Sequence, residues 1–241
     1  VDCYIACLPR QLHVVKTVES ILKNKEIKTI TITANKYTDE LFQELTTKLL
    51  NLNAQYQVPI YLHRGDNLKE SNEKLKYISK GNGRYISFVD DDLILNPNHF
   101  EFLIGGCEAY NAYVSLHGVV LYPRPIKSYY RDRFVYCGLG TVIDNYEVDI
   151  VGNGCGLFKR EFFTEEELKS LYDDAPTQGM DDILMATLCK NKGIKRVVLA
   201  HPEGFVKHRE IRPDDEYIFD KYALRPNGDE VQTNYINLNW K

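Results

Sequence analysis

The stretch YISFVDDD, Tyr85–Asp92, runs from a β-favouring apolar segment straight into three carboxylates. A short apolar run bounded by a turn reads as a buried strand. Adjacent carboxylates repel one another and raise each other's pKa, so an apolar strand ending in three of them is costly unless something balances the charge. A divalent cation is the usual remedy. Hard ions such as Mg2+ and Mn2+ take oxygen ligands and keep positions open for substrate phosphates. Asp90 and Asp92 are two residues apart and project to the same side if the strand continues. The competing reading is a solvated acidic turn, and the strand-end position argues against it.

Working back toward the N-terminus, strands and helices alternate. Residues 2–8 and 27–34 read as strands, and 58–63 as a third. Val14, Val18, Ile21 and Leu22 share one face of a helix over 13–24. Thr38 or Asp39 caps a second helix, with Leu41, Phe42, Leu45, Leu49 and Leu52 as its buried stripe. A third helix is expected from about Leu68 to Lys80, stopped by Gly81-Asn82-Gly83 in a left-handed turn. Four strands alternating with helices predict an α/β domain: a mainly parallel, Rossmann-like central sheet flanked by helices. Ligands bind such sheets outside the carboxyl ends of the strands. That places function in the loops after Leu8, Ala34, His63 and Val89.

The second half is less regular. Residues 113–122 read as one long strand or a pair, and 123–133 as a basic, aromatic, proline-containing loop that includes Tyr129, Tyr130, Arg131 and Arg133. A strand over 148–158 enters a glycine-rich turn. Helices are expected over 162–172 and 180–192, and a strand over 195–200. Gly152, Gly154 and Gly156 do not make a phosphate loop, because no GK[ST] follows. They suit a backbone that passes close to a ligand. The tail from Arg209 holds Tyr217, Phe219, Tyr222 and Trp240, enough to pack back on the domain, cover a site or form a homodimer contact.

Composition limits the classes available. At 241 residues, with 44% hydrophobic and 27% charged side chains, the chain is too apolar for intrinsic disorder. A net charge of −4 argues against a general nucleic-acid binder. No apolar window is long enough for a transmembrane segment, and VDCYIACLPRQ is too short and too soon broken for a signal peptide. Six cysteines without CxxC or zinc spacing read as reduced thiols, which with the rest predicts a cytoplasmic location.

Three segments together resemble the family 2 glycosyltransferases of GT-A fold. YISFVDDD looks like the family's D-x-D motif, VGNGCGLFKREFF (151–163) like its glycine-rich acceptor segment, and GMDDILMATLCKNKGI (179–194) like its acidic motif at a helix start, about 90 residues after the first. The likeness covers roughly 2–208. It implies a GT-A domain over 1–208, with a nucleotide-sugar half (1–100) and an acceptor half (101–208), and a C-terminal extension over 209–241 packing on it. It implies Asp92 as a metal ligand. Asp90 would contact ribose or metal, Asp91 could share either role, and His208, or less readily His201, would complete a Mn2+ or Mg2+ site. Pro9, Ala34 and Asn35 would flank the nucleotide, and Arg64 and Asn72 would lie near a uracil edge. Ser71 stands where the family has Arg, which weakens the claim for UDP over another nucleotide. Asp182 matches the family's base, while Asp181 replaces its usual Glu, so either neighbour could serve.

The chemistry is consistent with this resemblance. A departing diphosphate gains charge that a metal can stabilise. The acceptor hydroxyl loses a proton that a carboxylate can take, through an oxocarbenium-like transition state. The expected activity is inverting transfer from a nucleotide-diphosphate sugar, UDP-linked first among them, to a hydroxyl of a glycan or other acceptor. The alternatives are a non-catalytic nucleotide-sugar or glycan-binding domain, and a metal-dependent phosphotransfer enzyme.

Overall fold

The computed structural model describes residues 1–10, 12–66, 68–176, 179–209 and 222–240. Tyr217 and Phe219 of the aromatic tail lie outside them. The first half is built from β1 (Asp2–Cys7), α1 (Val14–Leu22), β2 (Thr29–Asn35), α2 (Asp39–Tyr56), β3 (Ile60–Gly65) and β4 (Tyr85–Val89). Thr38 caps α2, its hydroxyl accepting from Leu41 N at 3.3 Å. The order β3-β2-β1-β4 is parallel throughout, and the chain reverses its direction of travel across the sheet between β1 and β4. A crevice opens at such a reversal, outside the carboxyl ends of the strands.

Past β4 come β5 (Leu93–Leu95), α3 (His99–Tyr110), β6 (Ala112–Ser115), β7 (Gly118–Leu121), β8 (Arg133–Tyr136), β9 (Tyr146–Glu147), β10 (Ile150–Val151) and β11 (Cys155–Lys159). Then follow α4 (Glu165–Asp173), α5 (Asp181–Asn191), β12 (Lys195–Val198), β13 (Val206–His208) and α6 (Glu230–Asn239). The main sheet continues from β4 through β11, β6, β12 and β9, with β11 antiparallel to both neighbours. That antiparallel insertion sets the start of β11 beside the end of β4. The glycine-rich stretch therefore lies alongside the acidic one, and Asp90 N donates to Gly154 O at 3.0 Å.

Alternation along the strands sends Cys3, Ile5, Ile30 and Ile32 to one face, under Val18 of α1, Leu45 of α2 and Leu103 of α3. Tyr4, Ile86, Phe88 and Phe158 go to the other face, against Leu168 of α4 and Met185 of α5. The residues described at the C-terminus pack on this second layer: Ile236 is buried, and Trp240 Nε1 donates to Thr187 Oγ1 at 3.0 Å.

Several expectations are corrected. The helix over 68–80 is instead two 3-10 turns, Glu70–Leu75 and Ile78–Lys80. Glu70 has a φ of 51°, Leu68 is exposed, and Asn72, Glu73 and Lys74 turn inward to polar partners, so Leu75 and Ile78 alone make no stripe long enough to hold an α-helix. Gly81 has a φ of −77°, so the stop is not left-handed. Glycine is required there for room, since a Cβ at Gly83 would lie 2.6 Å from Asp2 Oδ1. α4 starts later than expected because Thr164 and Glu167 form a reciprocal capping box. The sequence between 99 and 110 gave no expectation of α3, whose Gly106 presses so close to Leu199 that a Cβ would collide with it. Five of the six cysteines are buried and all are free.

Asp2 is fully buried at the start of β1, where its carboxylate accepts from Gly83 N at 2.6 Å, Thr29 Oγ1 at 2.9 Å and Arg160 Nη2 at 2.9 Å. Removing one partner of a buried pair leaves the other charge uncompensated. Asp2→Ala is expected to lower unfolding stability by about 3–5 kcal/mol in urea titrations; a loss within about 0.5 kcal/mol, the range of ordinary surface substitutions, would contradict the clamp.

Candidate active site

At Val89 the strand ends, and the three aspartates separate. The extended pleat does not continue past Val89, so Asp90 and Asp92 reach the same cavity from a turn, each with its own partner. Asp90, its side chain 49% exposed, accepts from Lys74 Nζ at 2.7 Å. A Cβ at Gly154 would collide with its carboxylate, so glycine is the residue that leaves this carboxylate room. Asp91 turns into the protein, accepting from Leu8 N at 3.1 Å and facing Arg10 at 3.8 Å. Burial pushes the Asp91 carboxyl up to about 6. Asp92 meets His208 Nε2 at 3.2 Å and Arg10 Nη1 at 3.5 Å.

His208 reaches Asp92 through a two-stranded ribbon. β13 pairs antiparallel with β5, setting His208 opposite Leu93, and Arg209 N donates to Asp92 O at 3.0 Å. Burial alone would raise the Asp92 carboxyl, but the His208 hydrogen bond and the charges of His208, Arg10 and Arg209 hold it below the ordinary range. The same hydrogen bond raises His208. His208 Nδ1 lies 2.9 Å from Arg209 O, a contact that orients the ring with Nε2 toward Asp92. Among the described residues, no three His, Cys, Asp or Glu side chains form a metal-holding group. Asp92 and His208 are a two-residue pair, and Asp90 is turned to Lys74. His201 stands apart, buried, with Nδ1 2.7 Å from Leu199 O.

The second acidic pair opens α5. Asp181 is buried and accepts from Asn153 Nδ2 at 2.9 Å, with Lys74 Nζ 3.4 Å away. Lys74 thus bridges the two acidic segments with a side chain only 3% exposed. Burial pulls the ammonium's pKa down, but Asp181 and Asp90 outweigh it and hold Lys74 protonated. Asp182 accepts from Tyr129 Oη at 2.9 Å and Ile183 N at 2.8 Å. Burial, with the neighbouring Asp181 charge, pushes the Asp182 carboxyl up to about 6.

Lys74, Asp90, Asp92, His208, Asp181 and Asp182 all line one cavity of about 400 Å3. Tyr129, Tyr130 and Arg133 of the basic, aromatic loop and its exit strand line it too, with Gly152 and Gly154. None of the residues expected around a nucleotide, Pro9, Ala34, Asn35, Arg64 and Asn72, is among those that line this cavity. Asn72 is fully buried, its amide donating to Pro176 O and its Oδ1 accepting from Met180 N, each at 3.0 Å. Arg64 donates to Tyr37 O at 3.0 Å, pairs with Asp39 at 2.9 Å and stacks 4.3 Å from the Phe42 ring centre. Pro9, Ala34 and Asn35 stand at the ends of β1 and β2. Asn35 Oδ1 is buried without a partner among the described residues, beside Gly65, where a Cβ would collide with it.

Lys74 was missed from sequence because it sits in a polar stretch that reads as a solvated helix. The only available signal was a lysine within about 20 residues of an acidic strand end. Tyr129 could be found only as one aromatic in a loop.

Residues 3–166 match the model of the family described as Glycosyl transferase family 2, and the chain belongs to that family. No curated protein matches it. Among solved structures it resembles Staphylococcus aureus TarS 1-349 in complex with UDP-GlcNAc, with a TM-score of 0.56 at 11% identity, covering 92% of this chain and 61% of that one. TarS 1-349 alone gives a TM-score of 0.51, and its UDP complex 0.50, each at 12% identity and covering 84% of this chain and 58% of that one. The likeness at this identity is one of fold, and the chain spans less than two thirds of those TarS chains.

A carboxyl whose pKa rises from 3.8 to about 6 on folding favours the native state when protonated. That stability is present below the ordinary carboxyl range and lost as pH rises through about 6, so ionised Asp182 costs about 3 kcal/mol. Asp182→Asn is therefore expected to stabilise the protein by about 1–3 kcal/mol at pH 8 and to make little difference at pH 4. Urea titrations at the two pH values check this; destabilisation at pH 8 would contradict it.

Proposed function

We propose that this protein moves a sugar from a UDP-linked donor to a hydroxyl of a glycan or other acceptor, with inversion and with Asp182 as general base. The observation that carries the reading is the single cavity lined both by Asp92 with His208 and by Asp182. Direct displacement needs these two functions in one chamber: a place for the departing diphosphate and a carboxylate for the acceptor proton.

Asp92 and His208 offer one carboxylate oxygen and one imidazole nitrogen 3.2 Å apart, a donor set that fits Mn2+ or Mg2+ with its remaining positions open to phosphate. Such an ion, when bound, would supply Lewis-acid stabilisation of the leaving diphosphate. Pro9, Ala34 and Asn35, at the ends of β1 and β2, flank the base. Arg64 and Asn72 are committed to protein partners, so neither is assigned to the base. The TarS crystal structures holding UDP and UDP-GlcNAc support a uridine donor.

On the acceptor side, Tyr129 Oη and Ile183 N fix the plane of the Asp182 carboxylate while each oxygen retains a second lone pair. Its carboxyl, at about 6, is ionised at neutral pH yet more basic than an ordinary aspartate. Asp181, held by Asn153 and Lys74, positions the start of α5.

With UDP-GlcNAc as donor, UDP release is expected to rise with pH through about 6, as Asp182 loses its proton. Asp182→Asn should abolish that limb and slow release at least about a hundredfold, and Asp92→Ala should slow it comparably, with far-UV circular dichroism unchanged in both. Full activity in both variants would overturn the assignment.

A further inference from the structure

Two of the three cationic side chains named at the cavity wall face carboxylates: Lys74 meets Asp90 and Asp181, and His208 meets Asp92. Arg133, the first residue of β8, is the exception. Its guanidinium carbon lies 4.6 Å from the ring centres of both Tyr129 and Tyr130. Its Nε is buried and has no hydrogen-bond partner among the described residues. Its charge is felt at Asp182, which accepts from Tyr129 Oη and Ile183 N, but no ion pair within 4 Å joins the two among the described residues, and the acids of its loop and of the start of α6 are already used. Asp132 accepts from Lys127 N and Ser128 N, and Asp229 from Ser128 Oγ and Tyr130 N. Stacking between two aromatic rings holds the guanidinium in place and gives it cation–π stabilisation. It does not satisfy the in-plane N–H groups, whose fork matches a carboxylate or phosphate.

Arg133 also stands one ring away from the base. The Tyr129 ring under its guanidinium carries the hydroxyl that donates to Asp182 at 2.9 Å. A group bound by Arg133 would belong to whatever molecule presents its hydroxyl to Asp182.

We propose that Arg133 is a specificity-determining residue that selects an acceptor carrying an anionic group, a carboxylate or phosphate, on or beside the sugar whose hydroxyl is glycosylated. The inference rests on the glycosyl-transfer reading for the identity of the acceptor end. No bond changes at Arg133; it binds and orients. A neutral acceptor would leave the guanidinium unpaired in a partly dry site, whereas an acidic one gains charge-assisted hydrogen bonds.

The test is a set of calorimetric titrations with glucose, glucuronate and glucose 6-phosphate, alongside UDP with Mn2+. Wild-type protein is expected to bind at least one of the two anionic sugars at least about tenfold more tightly than glucose, and which one distinguishes a carboxylate from a phosphate acceptor. The preference should collapse toward unity in Arg133→Gln and persist in part in Arg133→Lys, which keeps the charge and guards against a folding artefact. Equal affinity for all three sugars in the wild type, or a preference that survives in Arg133→Gln, would overturn the proposal. So would loss of UDP affinity in Arg133→Gln with the sugar preference intact, which would assign the residue to the donor phosphates. Wild-type protein that binds no UDP would instead count against the glycosyl-transfer reading, while the sugar titrations would still decide the anion site.

Discussion

A single buried ammonium ties the active site together. Lys74 Nζ sits between Asp90, at the end of β4, and Asp181, at the start of α5, 2.7 Å from one and 3.4 Å from the other. Lys74 and Asp181 are buried charges and Asp90 is half-exposed; the desolvation penalty of the buried ammonium is offset by the two carboxylates, and removing either weakens that balance. This requirement holds the end of β4 against the start of α5. It also separates the aspartates by partner. Asp90 and Asp181 are engaged with Lys74, Asp91 with the loop after β1, Asp92 with His208 and Arg10, and Asp182 with Tyr129.

The backbone around this lysine is arranged by strand direction. The reversal of strand order between β1 and β4 opens the crevice, and β11, inserted antiparallel beside β4, brings the glycine-rich stretch to the same place. Gly154 yields its side-chain volume to the Asp90 carboxylate. The β5–β13 ribbon then returns the chain so that His208 meets Asp92. Residues far apart in sequence thus reach one cavity from the ends of different elements.

Much of this was legible in the residues, and what was not has physical causes. The first four strands could be read because each carries a run of β-favouring apolar residues long enough to show a pattern. Asp90, Asp91 and Asp92 stood out because acidic residues at the end of an apolar strand are costly without a reason, whereas Asp182 and His208 were named only through the family resemblance. The β5–β13 ribbon could not be read, since three-residue strands leave no periodicity. α3 carries two glycines in its middle and gives a weak helical signal. Lys74 looked like a solvated lysine because its partners lie at a strand end and on a helix about 100 residues later, and the two acids that neutralise it are defined only once the chain is folded. Arg64 and Asn72 illustrate the opposite case: both residue types suit base recognition, and the fold also gives both a backbone to hold, a role that residue type alone does not reveal.

The central claim is that this cavity is a metal-assisted nucleotide-sugar site, and ligand-induced stabilisation tests it most directly. Thermal unfolding of the wild-type protein would be followed with UDP alone, Mn2+ alone and both together. A ligand at 100 times its Kd stabilises by about 2.7 kcal/mol. The account predicts a shift of several degrees with UDP and Mn2+ together, and a much smaller one with either alone. No shift with the pair would contradict it.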